Sequence, residues 1–161
     1  MRRDRDAEFT VFVEHRRPAL RRFAYALCGD WHRADDLVQT ALVKTYLAWP
    51  RLHSQGREEA YVRRALLTSH VDETRRSWRR ERTPLDGHDR AVEDPGPEDR
   101  SALVEALQEL PVMQRQVVAL RYLLDLSVEE TAAELGIGVG TVKSHAARGR
   151  ARLREALVPT R

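Results

Sequence analysis

The stretch Asp125–Arg154, DLSVEETAAELGIGVGTVKSHAARGRARLR, decides how the rest of the chain is read. It predicts two short helices joined by a glycine-bearing turn. Ser127 is a suitable N-cap, and Glu130, three residues on, completes a capping box. Ala132, Ala133 and Leu135 give the first helix a small apolar face. Gly136 falls where a left-handed C-terminal residue is needed, a conformation that strains residues with a Cβ. Gly138 can cap a second helix, with Ile137 and Val142 spaced as a hydrophobic staple across it.

The second helix is two-faced. Val142, Ala146, Gly149 and Leu153 recur at helical spacing and predict its buried stripe. Thr141, Lys143, Ser144, His145, Arg148 and Arg152 lie mostly off that stripe. A tight turn followed by a helix with short polar and basic side chains near its start is the helix-turn-helix arrangement, whose second helix presents its N-terminal residues to base edges in the major groove. Gly140 leaves room for close approach to DNA. An ordinary helical hairpin with a solvated basic face fits the same pattern, so DNA binding is here the favoured of two readings.

Outside this stretch, the totals set bounds. The chain has 161 residues, a formal net charge of +3 and 33% charged residues, enough for one domain or two small ones. Lys44 and Lys143 are the only lysines, so nearly all basic charge is Arg. Arg suits phosphate and guanine recognition, although a GC-rich genome gives the same bias. Cys28 is the only cysteine, which excludes an internal disulfide and a Cys-rich metal site. The N-terminus MRRDRDAEF lacks the apolar run of a signal peptide, and no segment is long enough to span a bilayer. The expectation is a cytoplasmic protein with no membrane insertion.

In chain order, a helix is predicted from about Glu8 to Leu27, broken or kinked at Pro18. Gly29 ends it, and Asp30 caps the next helix. That helix carries Ala34, Leu37, Val38, Ala41, Leu42 and Leu47 inward and is expected to end before Trp49-Pro50. Arg51 to Gly56 reads as a polar loop, and a third helix runs from about Glu58 to Arg80. Thr83 to Pro97, TPLDGHDRAVEDPGP, has prolines, glycines and acids without apolar periodicity and reads as a linker. Helices resume at Ser101, with a further helix from Pro111 to about Leu124. No strand pattern occurs. The expected fold class is all-α: two small helical domains, 1–82 and 101–161, joined by a flexible acidic linker over 83–100.

Two clusters carry charge. Glu73 to Arg82, ETRRSWRRER, surrounds Trp78 with Arg. Arg binds phosphate and an aromatic ring stacks on an unpaired base, while the alternative is a solvated helix end whose Arg residues offset the dipole. Asp35-Asp36-Leu37-Val38-Gln39 puts two acids about 100° apart on a helix, so they do not converge on one metal. The reading is an acidic helix face that docks a basic partner, with a two-metal nuclease as the weaker alternative. The six His are scattered without paired spacing. No phosphate loop or nucleophile elbow is present, so neither an enzyme nor a cofactor is expected.

Phe12–Trp49, FVEHRRPALRRFAYALCGDWHRADDLVQTALVKTYLAW, resembles region 2 of bacterial sigma factors. Leu110–Leu153, LPVMQRQVVALRYLLDLSVEETAAELGIGVGTVKSHAARGRARL, resembles region 4. The short length and linker are similar to the extracytoplasmic-function group, most of all its SigE-like actinobacterial type. The resemblance implies a subunit that gives RNA polymerase promoter specificity and helps open DNA. It implies that Asp35, Asp36, Leu37, Val38 and Gln39 contact the clamp helices of the largest polymerase subunit, and that the flap of the second subunit is also a partner. His53, Ser54, Arg75, Arg76, Trp78, Arg79 and Arg80 would read and hold the melted minus-ten strand. Thr141, Lys143, Ser144, His145 and Arg148 would meet the minus-thirty-five element. The acidic linker (Asp86, Asp89, Glu93, Asp94) would thread the RNA channel, and the family often has an anti-sigma partner. Gly138 stands where a Ser-like cap is usual, and His145 where Arg or Gln is common.

A length check agrees. An eighteen-residue linker spans up to about 60 Å when extended, and promoter elements separated by about 16 base pairs lie roughly 55 Å apart. The rival readings are a stand-alone helix-turn-helix regulator, which would dimerise on a palindrome, a metal-dependent nuclease, and an adaptor using the first module alone.

Overall fold

Seven α-helices, and no strand, account for residues 2–81 and 101–158, the part of the chain described by a computed structural model. They are α1 (Arg2–Cys28), α2 (Trp31–His53), α3 (Glu58–Glu81), α4 (Ala102–Glu109), α5 (Val112–Val118), α6 (Val128–Leu135) and α7 (Val139–Leu157). The expected linker, 83–100, with its acidic side chains, lies outside the described residues.

Helix α1 runs through Pro18 without a break. Proline removes one N–H, but the flanking turns are held by packing of Phe9, Phe12 and Val13 against the core and by Leu20, Phe23, Ala24 and Leu27 within it. Packing therefore outweighs the local cost of one lost bond. Gly29, at φ 72°, turns the chain, and the Asp30 carboxylate caps α2 by accepting from Arg33 N at 3.0 Å. Helix α2 likewise continues through Pro50 to His53, past its expected end before Trp49. Trp49 holds this last turn: it is buried, and Phe9 and Phe12 pack on its ring with centroids 5.3 and 5.1 Å away.

Helices α1, α2 and α3 form the first group and α4–α7 the second. Helix α5 does not end cleanly: its last turn widens into a π-helical turn at Ala119–Leu123, followed by Asp125 at φ 55°, the only non-glycine with positive φ among the described residues. In α6 the capping box is complete, with Glu130 N donating to Ser127 Oγ at 3.0 Å and Ser127 N donating to Glu130 Oε1 at 3.2 Å. Gly136 adopts the left-handed conformation at φ 66°. Gly149 lies where α7 meets α5 so closely that a Cβ would sit 2.6 Å from Val118 Cγ2.

The two groups are not separately cored. Val104, Ala119, Leu120 and Leu126 of the second belong to the same buried cluster as Phe23, Leu27, Val38, Val62 and Leu66 of the first. Ala26 of α1 joins a smaller cluster with Leu107, Leu110 and Val118. The two small helical domains expected from the sequence thus meet along a shared apolar surface that each leaves for the other to cover.

Candidate nucleic-acid interface

Helix α7 is fixed against α5 and α6 by Val142, Ala146 and Gly149, all buried. That leaves its opposite side open. Thr141, Lys143, Ser144 and Arg148 are exposed, and His145 is half-buried at the edge of the packed face with its Nδ1 buried and unpartnered. Gly138 caps the helix without a side-chain hydrogen bond, so the first amide groups of α7 point outward with the positive end of the helix dipole. Ala147, exposed one turn beyond Lys143 and Ser144, completes this face. It was missed in the sequence because alanine carries no chemical signal of its own. Gly140 is exposed with nothing within 4 Å of a notional Cβ.

The second basic surface is the end of α3. Arg75, Arg76, Trp78, Arg79 and Arg80 are exposed, Trp78 at 54%. At the other end of α3 lie His53, the last residue of α2, and Ser54, its C-cap, both exposed. The His53 ring stacks on Trp49, with centroids 4.9 Å apart and planes 14° from parallel. Its Nε2 lies 3.5 Å from Glu8 Oε2, and Nδ1 lies 3.9 Å from Glu58 Oε1. Ser54 Oγ donates to Arg51 O at 3.0 Å. His53 and Ser54 therefore sit at the opposite end of a 24-residue helix from the Arg cluster, roughly 25–33 Å away along the axis at 1.5 Å per residue. They form two contact zones on one element.

The third surface is the outer face of α2, and here the structure corrects the sequence. Leu37 and Val38 are 5% and 2% exposed and belong to the core, so little of either side chain is open to a partner. Leu47, expected inside, is instead 75% exposed. The outward face runs through Asp36, Gln39, Thr40, Val43, Lys44 and Leu47. Asp35 is exposed but engaged: Arg21 Nε donates to its Oδ1 at 2.6 Å. That same guanidinium covers the Trp31 ring at 4.3 Å. The Asp35 carboxylate raises the Arg21 pKa further above its ordinary value, first through their hydrogen bond.

A cluster of polar residues joins the two helix groups, and sequence reasoning did not find it. Arg115 Nη1 donates to Leu27 O at 2.6 Å, while its Nε and Nη2 donate to Leu107 O, Gln108 O and Leu110 O. Gln108 Nε2 donates to Ala26 O at 2.9 Å. His70 is 1% exposed, hydrogen-bonded to the Leu27 backbone and 3.3 Å from Gln116 Nε2. Burial, with Arg115 and Arg33 nearby, lowers the His70 pKa to about 4. Arg63 Nε donates to Glu134 Oε1 at 2.7 Å, and Arg64 Nη2 to Ala133 O at 3.1 Å. The pairs that cross between the groups are 46 to 88 residues apart in sequence, so no local pattern marks them. Among the described residues no group of three or more His, Cys, Asp or Glu could hold a metal ion, and no helix is long and apolar enough to cross a membrane.

Comparison with known proteins bears on all three surfaces. Residues 12–80 match the family model for Sigma-70 region 2, and residues 100–153 that for Sigma-70, region 4. An RNA polymerase sigma-E factor of Streptomyces coelicolor is 41% identical over 94% of this chain and 86% of that protein. The ECF RNA polymerase sigma factor SigM of Mycobacterium tuberculosis is 33% identical over 93% of this chain and 76% of its own length. Among solved structures, the sigma factor RpoE in complex with the anti-sigma factor NepR from Bartonella quintana matches with a TM-score of 0.75 at 26% identity, over 96% of this chain and 99% of that one. CnrH in complex with the cytosolic domain of CnrY matches at 0.69 and 25% identity, over 94% and 88%.

Proposed function

We propose a division of labour among the three surfaces of this chain, which belongs to the extracytoplasmic-function group of the sigma-70 family and directs promoter-specific initiation by RNA polymerase. The observation that carries the proposal is the exposed face of α7. Thr141, Lys143, Ser144, Ala147 and Arg148 point away from the packed stripe, around a helix start whose amides are open to phosphate. On this reading α7 enters the major groove of the minus-thirty-five element. Arg148 and Ser144 read base edges, Lys143 neutralises phosphate, and the Ala147 methyl fits a thymine methyl. His145, half-buried, positions more than it reads.

The α3 end holds the minus-ten strand. Arg75, Arg76, Arg79 and Arg80 take its phosphates, and Trp78 offers a ring to an unpaired base. Glu8 and Glu58 beside His53 repel phosphate, which favours a base rather than the backbone at the His53–Ser54 zone. Capturing unpaired bases offsets their unstacking, a few kcal/mol each. The outer face of α2 docks the clamp helices of the polymerase: Asp36, Gln39 and Lys44 frame the exposed apolar pair Val43 and Leu47. The second helix group meets the flap of the second largest subunit, and an anti-sigma protein is a further partner. The chain itself catalyses nothing, needs no cofactor and works in the cytoplasm. The domain partition is 1–82, 83–100 and 101–161. Run-off transcription with purified core polymerase and genomic fragments tests the proposal: initiation at defined sites only when the chain is added supports it, and tight specific DNA binding by the chain alone, with no effect on polymerase, overturns it.

A further inference from the structure

Only two of the chain's 28 basic residues are lysines, and both fall on the surfaces described above. Lys143 is exposed on the reading face of α7, and Lys44 is exposed on the outer face of α2, beside Val43 and Leu47. The basic end of α3 uses Arg alone. The difference is chemical rather than electrostatic. A guanidinium does not lose its proton in proteins, so its nitrogens offer no lone pair. A lysine ammonium does, and the resulting amine is a nucleophile open to acylation. Cys28, the other strong nucleophile, is 6% exposed, and burial pushes its thiol up to about 11, which keeps it from competing.

Both amines are free to react. Among the described residues neither has an ion-pair or hydrogen-bond partner, whereas Arg16, Arg21, Arg33 and Arg63 are held by Glu59, Asp35, Glu73 and Glu134. The helix neighbours one turn to either side explain this. They include Gly140 and Ala147 around Lys143 and Thr40 and Ala48 around Lys44, with no acid among them. Small, uncharged neighbours leave each Nζ open to an incoming reagent. Helix α7 also carries four Arg, at 148, 150, 152 and 154, against one acid, Glu155, and such a field draws an anionic acyl donor.

We propose that Lys143 and Lys44 are acylation sites through which an acyl phosphate switches the chain off, Lys143 releasing the promoter and Lys44 the polymerase. This regulation rests on the promoter-reading function proposed above. The ammonium first yields one proton to solvent. The Nζ lone pair then attacks the acyl carbon, a C–N bond forms and the C–O bond to phosphate breaks. Phosphate leaves with that electron pair and takes up the surplus proton of the nitrogen. Each event replaces a positive charge with a neutral amide. On α7 this removes one phosphate contact, a loss of about fivefold in promoter affinity near 0.15 M salt. On α2 it puts a bulkier neutral group beside Leu47, inside a face that must fit its partner closely.

The test treats the full chain with acetyl phosphate, as the variants Lys44→Arg and Lys143→Arg, each compared with its own untreated sample. Peptide mass spectrometry is expected to find acetyl groups on the remaining lysine and on the N-terminal amine. Treated Lys44→Arg holoenzyme should bind promoter about fivefold more weakly, with the salt slope reduced by about one and core binding unchanged. Treated Lys143→Arg should lose core binding several-fold. The double variant should respond in neither assay, which separates the lysines from the N-terminal amine. In the chain isolated from its own cells, acyl-lysine is expected at one or both positions. Unchanged promoter affinity of a Lys44→Arg chain acetylated at Lys143 overturns the proposal, as does the absence of acyl-lysine in both growing and stationary cells. Failure of the untreated wild-type chain to direct polymerase to any promoter would count against the promoter-reading function instead, while the core-binding response of Lys143→Arg still decides for Lys44.

Discussion

The guanidinium of Arg115 donates to the main-chain oxygen of Leu27 at 2.6 Å, so a side chain of the second helix group caps the C-terminus of the first helix of the chain. Its other nitrogens bind Leu107, Gln108 and Leu110 carbonyls. One planar group thus closes α4 and ties both groups together. Lysine has no comparable fork. Arg115→Lys is expected to cost about 2 kcal/mol, because buried acceptors lose charged partners. A urea titration should show a lower midpoint at unchanged slope.

His70 makes that junction sensitive to acid. Its folded pKa of about 4 lies below the ordinary value of 6.5, so the unfolded chain binds the extra proton first. The contribution is fully present above pH 6.5 and is lost as pH falls from there towards 4, by up to roughly 3 kcal/mol. Thermal melts between pH 7 and 4.5 should show the decline, and His70→Gln should flatten it.

Two glycines of α7 are expected to respond oppositely to alanine. At Gly149 the new Cβ meets Val118 at 2.6 Å, and overpacking of about 1–3 kcal/mol exceeds the gain in helix propensity. At Gly140, where nothing lies within 4 Å, alanine should stabilise the fold by about 0.5–1 kcal/mol yet weaken binding of the upstream element, where the backbone approaches DNA. Melting curves and gel shifts with holoenzyme read the two effects separately.

Lys143→Ala and Arg148→Ala should both weaken upstream-element binding and leave core binding intact. Arg148→Ala is expected to cost about 1–3 kcal/mol and to relax base preference, whereas Lys143→Ala should act on all sequences alike and reduce the salt slope by about one. Binding measured across a salt series on wild-type and altered promoter sequences checks this. Loss of core binding in either variant would contradict the assignment of surfaces.

On α2, Leu47→Glu should abolish core binding at a stability cost within about 0.5 kcal/mol, since Leu47 is 75% exposed. Leu37→Ala should do the reverse of a surface variant: a loss of about 2–5 kcal/mol from the core, with any change in core binding following stability. Pull-down with polymerase alongside denaturant titration separates the two.

Much of the local structure was legible because its causes are local. The capping box of Ser127 and Glu130, the left-handed Gly136, the Asp30 cap and the buried stripe of α7 each follow from residues within a turn or two of one another. Pro18 and Pro50 misled because a helix interior penalises proline by a fixed amount that tertiary contacts can exceed, as those of Trp49 do for α2. Leu47 misled because an apolar residue at helical spacing looks the same whether it faces the core or a partner. Leu37 and Val38 carried the resemblance to a docking motif but serve the core beneath it, and their exposed neighbours form the face.

By itself, then, the sequence determined an all-α chain with a DNA-reading helix near its end, basic charge on α3 and membership of the sigma family, since these depend on periodicity, caps and motifs written in consecutive residues. Tertiary structure alone decided that the two helix groups share a core and that Arg115, Gln108, His70 and Arg63 join them. Those contacts pair residues dozens of positions apart, and a hydrogen bond between distant residues leaves no mark on either one's neighbours in the chain.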